Sequence, residues 1–230
     1  MKITLLSCTV NPALLCGQAA AVCTNSDHYD SALRHAVEAG HTSVLEHAVF
    51  TFKIEGLSRA ALAQLTRHRM ASFDVQSQRY VRLDEPKLII PESIKKSVFY
   101  YEAKAMMDKV LTLYQQMVDA GIPCEDARYI TPQAVPTELI MTMNARELLH
   151  FFSLRTCNRA QREIRILADE MLSMCRKLAP EIFRNAGPGC VTGTCPEKKP
   201  CGHPRERAEW DRLISHITTP EEKEECECAH

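Results

Sequence analysis

Arginine side chains are concentrated in one short segment of the sequence, residues 67–80. The segment reads RHRMASFDVQSQRY and contains three arginines, one histidine, two serines and two glutamines. Guanidinium groups bind phosphate and carbonyl oxygens through pairs of parallel hydrogen bonds. Because Asp74 is the only acidic residue of the segment, its composition predicts a binding site for a ligand that carries phosphate and carbonyl groups.

A second group of arginines lies between Arg146 and Arg165. Arg155 ends an almost wholly apolar run, where a cation without a partner would be costly. Its position therefore favours a role in binding. The alternative interpretation is structural, because Arg155, Arg159 and Arg162 recur at helical spacing and could form a solvent-exposed stripe on one helix.

The first arginine segment follows a strand and a helix in the predicted structure. Apolar residues alternate from Ala48 to Ile54, which predicts a half-buried strand. Ser58 can cap a helix over residues 58–70 whose last turn carries the first arginines, and cations there also suit the negative end of the helix dipole. Residues 72–80 show no clear period and are predicted to form an ordered loop.

The second arginine group lies on a predicted buried helix. Asn144 can cap this helix, with Glu147 three residues later as a variant capping box. The helix is apolar almost all round, which predicts deep burial, and it extends with or without a break to residue 177. Further strands are predicted at residues 3–8, 87–90 and 139–143, and further helices at residues 30–40, 93–120 and around 128. Because strands and helices are mixed without regular βαβ alternation, the sequence predicts an α+β fold, with a mixed or antiparallel sheet flanked by long helices.

Composition narrows the class of protein. The chain has 230 residues, a net charge of −1 and no long unbroken apolar run, so neither a nucleic-acid partner nor a membrane span is expected. The apolar N-terminus could be a signal peptide, but it lacks a convincing cleavage site and is interpreted as a buried first strand. Six of the eleven cysteines are scattered before residue 176, like buried free thiols of a cytoplasmic protein.

The arginine segment resembles the signature RHRxxSxNxxSxRY of flavin-dependent thymidylate synthases, with Asp74 in the place of asparagine. GHTSVLEHAVFTF and MNARELLHFFSLR are similar to two further stretches of that family, and Gln64 lies at the expected distance before the signature. An ionised aspartate accepts hydrogen bonds but cannot donate them. We therefore expect a rewired contact between Asp74 and an arginine, and no loss of activity.

The resemblance implies a homotetramer whose active sites are shared between subunits, and it implies the residues that bind each ligand. Contacts to FAD fall on Ser43, Glu46, Arg67, His68, Arg69, Val75, Asn144, Arg146 and His150. Contacts to dUMP fall on Gln64, Arg67, Val75, Gln76, Ser77, Gln78, Arg79, Arg128 and Arg155. The folate is expected to stack on the flavin near His41 and His68.

The implied reaction is the reductive methylation of dUMP to dTMP. Methylenetetrahydrofolate would donate the carbon, reduced FAD the hydride, and NADPH would reload the flavin. Arg155 is the expected catalytic residue, because a guanidinium beside the uracil can stabilise the negative charge that makes C5 nucleophilic. Ser77 is expected to position the nucleotide and not to attack it.

The sequence changes character after residue 185. Residues 1–185 are predicted to form the thymidylate synthase domain, and residues 186–230 a cysteine-rich, flexible extension. Cys190, Cys195, Cys201 and His203 could bind zinc, but their spacing is looser than that of usual zinc sites, and no metal is expected. Two other functions stay open at this point: a catalytically silent nucleotide- or RNA-binding module of the same fold, and a metal-binding structural protein.

Overall fold

The structure, a computed structural model, describes residues 1–84 and 86–216. It confirms the predicted α+β class, because four strands form one mixed, antiparallel sheet and helices make up most of the remaining regular structure. The strands are β1 (Lys2–Cys8), β2 (Val49–Ser58), β3 (Ala71–Val75) and β4 (Pro136–Asn144). They lie in the order β1-β2-β4-β3.

The alternation predicted for the second strand is confirmed. Ala48, Phe50, Phe52 and Ile54 are fully buried. Strand β4 runs antiparallel to β2: the Ala145 amide donates to the Ala48 carbonyl at 2.7 Å, and further along the hydroxyls of Thr51 and Thr142 are 3.0 Å apart.

Eleven α-helices and two 3₁₀ helices occur in the described part of the chain. They are α1 (Pro12–Thr24), α2 (Tyr29–Glu38), α3 (Arg59–Leu65), α4 (Glu92–Lys95), α5 (Tyr100–Asp119), α6 (Cys124–Ala127), α7 (Ala145–Arg155), α8 (Arg162–Leu178), α9 (Pro180–Phe183), α10 (Gly189–Thr192) and α11 (Arg207–His216), with 3₁₀ helices at Thr42–His47 and Arg128–Ile130. Helix α1 was not predicted. It follows Asn11, which adopts a left-handed conformation, and it begins with Pro12, a favourable first helical residue.

The chain forms two compact units. The first consists of Met1, residues 54–67 and residues 74–140; the second consists of residues 2–53, 68–73 and those from 141 onward. The first unit has a core of Leu83, Leu111, Tyr114, Ala127 and Val135. In the second unit Phe183 makes edge contacts with Phe50 and Phe152, with ring centroids 5.5 and 6.0 Å apart.

Three predictions about the first arginine segment and its surroundings are wrong. Residues 71–75 form the strand β3, in which half-buried and exposed residues alternate; its polar residues conceal the period in the sequence. Helix α3 ends at Leu65, so the arginines that follow it lie beyond the helix and its dipole does not explain them. Asp74 is exposed, and among the described residues it forms no ion pair with an arginine.

Two further predictions need correction. The helix predicted over residues 93–120 is interrupted between α4 and α5, because the Ser97 hydroxyl donates to the Ile94 carbonyl and accepts from the Phe99 amide. Residues 87–90 form no strand; there the Ile89 amide donates to the Ala134 carbonyl at 2.8 Å.

The segment after residue 185 is folded as far as the structure describes it. Helix α11 packs against α8, and the Ser173 hydroxyl donates to the Ile214 carbonyl at 2.8 Å. Trp210 is 1% exposed, and its indole nitrogen donates to the Ala186 carbonyl at 3.3 Å. Residues 186–216 thus contain packed helices, and the flexible extension predicted for residues 186–230 stays a prediction. Residues 217–230 lie outside the described part, and the boundary at residue 185 stays a prediction.

Close packing surrounds this tryptophan. A Cβ atom added to Gly187 would lie 2.8 Å from the Trp210 indole nitrogen, so only glycine fits there. The Arg205 guanidinium lies 4.5 Å from the centroid of the indole ring, at a distance that allows a cation–π interaction. Arg205 also binds Asp169 with two hydrogen bonds, of 3.0 and 3.3 Å.

Asp169 should make the stability of the protein depend on pH. Burial raises the pKa of this carboxyl from 3.8 to about 6, although Arg205 opposes the rise. The folded protein therefore holds a proton that the unfolded chain releases, and ionisation between about pH 4 and pH 6 costs about 3 kcal/mol of folding free energy. We expect the free energy of unfolding to fall over this range in the wild type and less steeply in Asp169→Asn. Parallel curves for the two proteins would contradict the assignment.

All nine cysteines of the described part are free thiols. Only Cys16 and Cys175 are buried, so the burial predicted for the first six cysteines holds for two of them. Burial raises the pKa of Cys16 to about 11. Among the helices that the structure describes, none is both long enough and apolar enough to cross a bilayer.

Candidate functional site

His68 is the centre of a polar cluster in the second unit. The residue is 4% exposed. Its Nδ1 atom lies 2.9 Å from a carboxylate oxygen of Glu147, and its Nε2 atom accepts a hydrogen bond from Nε of Arg155 at 3.0 Å. The ring also makes edge contacts with His150 and Phe151. The structure thus joins three polar residues in a chain, Glu147–His68–Arg155.

The partners of His68 determine its protonation. A guanidinium can only donate, so Nε2 must be the acceptor and the ring proton must lie on Nδ1, facing Glu147. Burial lowers the pKa of His68, and Arg155 lowers it further, while the hydrogen bond to Glu147 acts in the opposite direction. A neutral imidazole therefore holds the guanidinium of Arg155 in place, and Glu147 holds the imidazole.

The predicted capping box at the start of α7 forms at Asn144 but not at Glu147. The Asn144 side chain accepts from the Glu147 amide at 2.9 Å, as predicted. The Glu147 carboxylate contacts His68, so the reciprocal half of a capping box is replaced by the polar chain. The helix is buried on one face only, because Leu154 and His150 are exposed. Residues 156–161 separate α7 from α8, which excludes a single helix with a stripe of arginines.

Five of the nine residues assigned to the flavin lie on the 3₁₀ helix Thr42–His47, on α7 or at its cap, and these two helices pack together. Arg146 forms an ion pair with Glu46, and both side chains are about half exposed. Ser43, Arg69 and His150 are exposed as well. Exposed guanidinium, hydroxyl and imidazole groups are donors of the kind that a phosphate-containing, aromatic cofactor such as FAD requires, so this set fits the cofactor.

A cavity of about 440 Å³ lies beside Arg155 in the second unit. Its wall is formed by residues at the end of α7 and by the segment after residue 185, including Cys190, Cys195, Cys201 and His203. These four residues line the cavity, and no three of them bring their donor atoms together into a group that could hold a metal ion. That no metal is bound by these four residues stays a prediction.

One group in the described residues does bring three metal-binding side chains together: His68, Glu147 and His150, with donor atoms within 4.8 Å of one another. Both ring nitrogens of His68 already have partners, Glu147 and Arg155. A metal would have to displace one of them, so the polar chain accounts for this group without an ion.

The residues assigned to the nucleotide lie mostly in the first unit, in and around the turn that follows β3. The Ser77 hydroxyl accepts from the Arg79 amide at 3.1 Å, and the Ser77 carbonyl accepts from the Val81 amide. Arg79 forms an ion pair with Glu125 at 2.6 Å, and Arg128 donates to the Glu125 backbone carbonyl at 3.1 Å. Intramolecular hydrogen bonds thus hold this turn as an ordered loop. This agrees with the prediction for the second half of residues 72–80.

A second cavity of about 440 Å³ lies in the first unit, between α3 and the 3₁₀ helix Arg128–Ile130. It is lined by Arg128 and Gln78, which were assigned to the nucleotide, and also by Arg59, which was not. Gln64 lies on α3, Arg67 is exposed beyond its end, and Val75 and Gln76 are half-buried. The residues assigned to dUMP thus lie in the first unit except for Arg155, and those assigned to FAD lie in the second unit except for Arg67 and Val75.

Comparisons with known proteins agree with this arrangement. The sequence model of the thymidylate synthase complementing protein family matches residues 4–181. The chain belongs to this family. It is 48% identical to the flavin-dependent thymidylate synthase of Geobacter sulfurreducens, over 95% of this chain and 100% of the relative. It is 41% identical to that of Clostridium tetani, over 86% of this chain and 91% of the relative.

A solved structure is similar as well. The crystal structure of the flavin-dependent thymidylate synthase from Helicobacter pylori complexed with FAD and dUMP has a TM-score of 0.68, with 27% sequence identity over 81% of this chain and 100% of that chain. The relatives are named as enzymes, which favours the enzymatic interpretation over a silent binding module of the same fold.

Sequence reasoning missed two residues of the site. Glu147 was interpreted only as part of a helix cap, although a carboxylate directly before Leu148 and Leu149 in a helix predicted to be buried indicates a polar partner inside the protein. Arg59 was not singled out at all. Its signal is weak but present, because it directly follows a helix cap and is the only charged residue of the segment LSRAALAQLT.

Proposed function

We propose that the protein converts dUMP to dTMP by reductive methylation, with methylenetetrahydrofolate as the carbon donor and NADPH as the reductant of its flavin. Bound FAD, once reduced, supplies the hydride. The observation that carries the proposal is the chain Glu147–His68–Arg155, because it holds a guanidinium in a fixed orientation at the end of α7 in a member of this family.

Arg155 is the residue to which we assign the chemical role. Uracil C5 becomes nucleophilic when negative charge accumulates on the ring, and a planar guanidinium beside N3 and a carbonyl oxygen stabilises that charge. Neutral His68 contributes an acceptor for Nε of Arg155, and so orients the rest of the guanidinium without adding a second positive charge. By this assignment no side chain forms a bond to the pyrimidine.

The remaining residues are assigned to binding. Ser77, Gln76, Gln78, Arg79 and Arg128, with Gln64, Arg67 and Val75, hold dUMP. Ser43, Glu46, His68, Arg69, Asn144, Arg146 and His150, with Arg67 and Val75, hold FAD, and the folate stacks near His41 and His68. We further propose a cytoplasmic homotetramer in which residues of different subunits complete each active site. In this assembly the residues assigned to dUMP and those assigned to FAD would surround the two ligands together.

The test is an assay for dTMP formation by the purified protein. The mixture contains dUMP, methylenetetrahydrofolate, FAD and NADPH, and each component is left out in turn. We expect no product when dUMP, methylenetetrahydrofolate or NADPH is left out, and a yellow protein that retains FAD after gel filtration. Binding of FAD and dUMP without any dTMP in the complete mixture would contradict the proposal.

A further inference from the structure

Four cysteines line the cavity beside Arg155. Cys157 follows α7, Cys190 lies on α10, and Cys195 and Cys201 lie between α10 and α11. All four are free thiols of intermediate exposure, and the other free thiols of the described part lie outside this cavity. Thiolates are the protein ligands of structural zinc ions and of iron–sulfur clusters. The concentration of thiols at one cavity therefore indicates a ligand that binds sulfur.

Hydrogen bonds hold together the two chain segments that carry these thiols. The Asn158 side chain donates to the His203 carbonyl at 2.7 Å and accepts from Nε of Arg205 at 3.2 Å. Asn158 directly follows Cys157, and His203 lies two residues after Cys201. The loop after α7 and the segment after residue 185 thus meet at the cavity, and each of them contributes thiols to its wall.

The sulfur atom of Cys201 accepts a hydrogen bond from the backbone. The His203 amide donates to Cys201 Sγ at 3.4 Å. Gly202 between them has a φ of 77°, in the left-handed region that glycine adopts readily. Hydrogen bonds to ligand sulfurs are among the contacts by which proteins tune iron–sulfur clusters. This turn is a separate observation from the cavity, and it indicates the same class of ligand.

The spacing of the sulfur atoms separates a single ion from a cluster. A zinc ion binds sulfur at about 2.3 Å in a tetrahedron, which places its ligands roughly 4 Å apart. In the described residues, no three cysteine sulfur atoms lie within 4.8 Å of one another. In a cubane [4Fe–4S] cluster each cysteine binds a different iron atom, so its four sulfur ligands lie further apart. The cavity volume of about 440 Å³ is also larger than one ion requires.

The charges that line the cavity suit an anionic cluster. Four cysteine thiolates give an oxidised [4Fe–4S] cluster a net negative charge. Two arginines, Arg155 and Arg159, line the cavity. Among the lining residues that the structure describes, Glu197 is the only acidic one, and it lies 3.9 Å from Arg159. The lining therefore carries the opposite charge to the cluster.

We propose that a [4Fe–4S] cluster binds in this cavity and fastens the segment after residue 185 to the loop that follows Arg155. Its ligands are Cys157, Cys190, Cys195 and Cys201. This set replaces the one considered from the sequence, because the fold brings Cys157 to the cavity in place of the His203 ligand. The expectation that no metal is bound there, which depended on cysteine spacing alone, is replaced with it.

The cluster has a structural role, separate from the proposed chemistry on dUMP. Three of its four ligands lie beyond residues 4–181, the range that the family model matches. The fourth, Cys157, lies two residues after Arg155 on the other side of the cavity. The cluster thus joins the part of the chain outside the family model to the part inside it.

The test is an analysis of iron and acid-labile sulfide in the purified protein, reconstituted without oxygen with ferrous iron, sulfide and a thiol reductant. Bound FAD disturbs neither measurement. We expect about four iron atoms and about four sulfides per chain in the wild type. After reduction with dithionite, we also expect a low-temperature electron paramagnetic resonance signal that is broader than that of a flavin radical.

Four variants test the ligand set. Cys157→Ser and Cys195→Ser should each lose most of the iron and the cluster signal, whereas His203→Ala should keep both. Cys23→Ser is the matched control, because Cys23 is an exposed free thiol of the same unit outside the cavity. It should bind as much iron as the wild type. Circular dichroism and FAD retention show whether each variant is folded, and the stoichiometry of the wild type decides the inference even where a variant does not fold.

Several outcomes overturn the inference. Iron and sulfide near zero in the reconstituted wild type reject the cluster, and about two of each per chain replace the cubane with a [2Fe–2S] cluster. About one zinc ion per chain that survives reconstitution assigns the thiols to a single ion. Undiminished iron in Cys157→Ser rejects the ligand set. Formation of dTMP by a wild type without a cluster leaves the proposed function intact, so the two proposals fail separately.

Discussion

Replacing Arg155 with alanine is expected to lower the rate of dTMP formation by about 10²–10³-fold, while FAD and dUMP binding stay measurable. The reason is that the guanidinium stabilises charge that develops mainly in the transition state, so its loss raises the barrier more than it weakens the ground-state complex. Arg155→Lys should recover little, because an ammonium group lacks both the planar fork and the Nε donor that binds His68.

The measurement is kcat for dTMP formation at saturating dUMP, with flavin content and circular dichroism as checks on folding. Arg162→Ala serves as the matched control, since Arg162 is exposed at the start of α8 and belongs to neither set of binding residues. We expect near wild-type turnover in this control. Turnover in Arg155→Ala within about threefold of the control would remove Arg155 from the chemistry and leave it a structural partner of His68.

Replacing Trp210 with alanine is expected to reduce the free energy of unfolding by about 3–5 kcal/mol, the usual cost of removing a large buried aromatic side chain. The indole is buried, donates to the Ala186 carbonyl and lies beneath the Arg205 guanidinium. Alanine leaves a cavity between α11 and the rest of the second unit. It also leaves the Ala186 carbonyl without one of its two donors, the other being Arg176.

Urea denaturation followed by circular dichroism measures this loss. Leu213→Ala on the same helix is the control, because Leu213 is 45% exposed and should cost less than about 1 kcal/mol. Trp210 is the only tryptophan of the chain, so its fluorescence in the wild type reports directly on the docking of α11. A Trp210→Ala protein as stable as Leu213→Ala would mean that the segment after residue 185 is a loose appendage after all.

The parts of the fold that were predictable from the sequence are those that depend on neighbouring residues. The caps at Ser58 and Asn144 were predictable because each side chain bonds an amide three residues further on. The burial of Phe50 and Phe52 was predictable because a strand exposes alternate residues to opposite faces. In each case the interaction that decides the structure lies within a few residues of the pattern.

The parts that were missed depend on contacts between distant residues. Strand β3 at the edge of the sheet has polar residues on its open face, so its pairing with β4 and not its composition makes it a strand. The chain Glu147–His68–Arg155 joins residues 79 and 87 positions apart. The motif indicated that His68 and Arg155 matter, but only the fold shows that one orients the other.

The site was predictable in its residue types more than in its arrangement. Arg59 illustrates the limit: in the sequence it is one charged residue near the start of an ordinary helix. Its significance arises from a cavity shared with Arg128, nearly 70 residues away, and from a buried nitrogen without an acceptor. Neither property is visible in a local pattern of residues.

The close approach of Gly187 to Trp210 constrains how this segment can change over evolutionary time. Any side chain at position 187 would collide with the indole ring, so a descendant protein must first shrink the ring at position 210 before it can replace the glycine. The reverse order passes through an ancestor in which helix α11 is displaced. Among relatives that keep both ends of the chain, the two positions should therefore be inherited as a pair, and sequences with a tryptophan but no glycine should be rare.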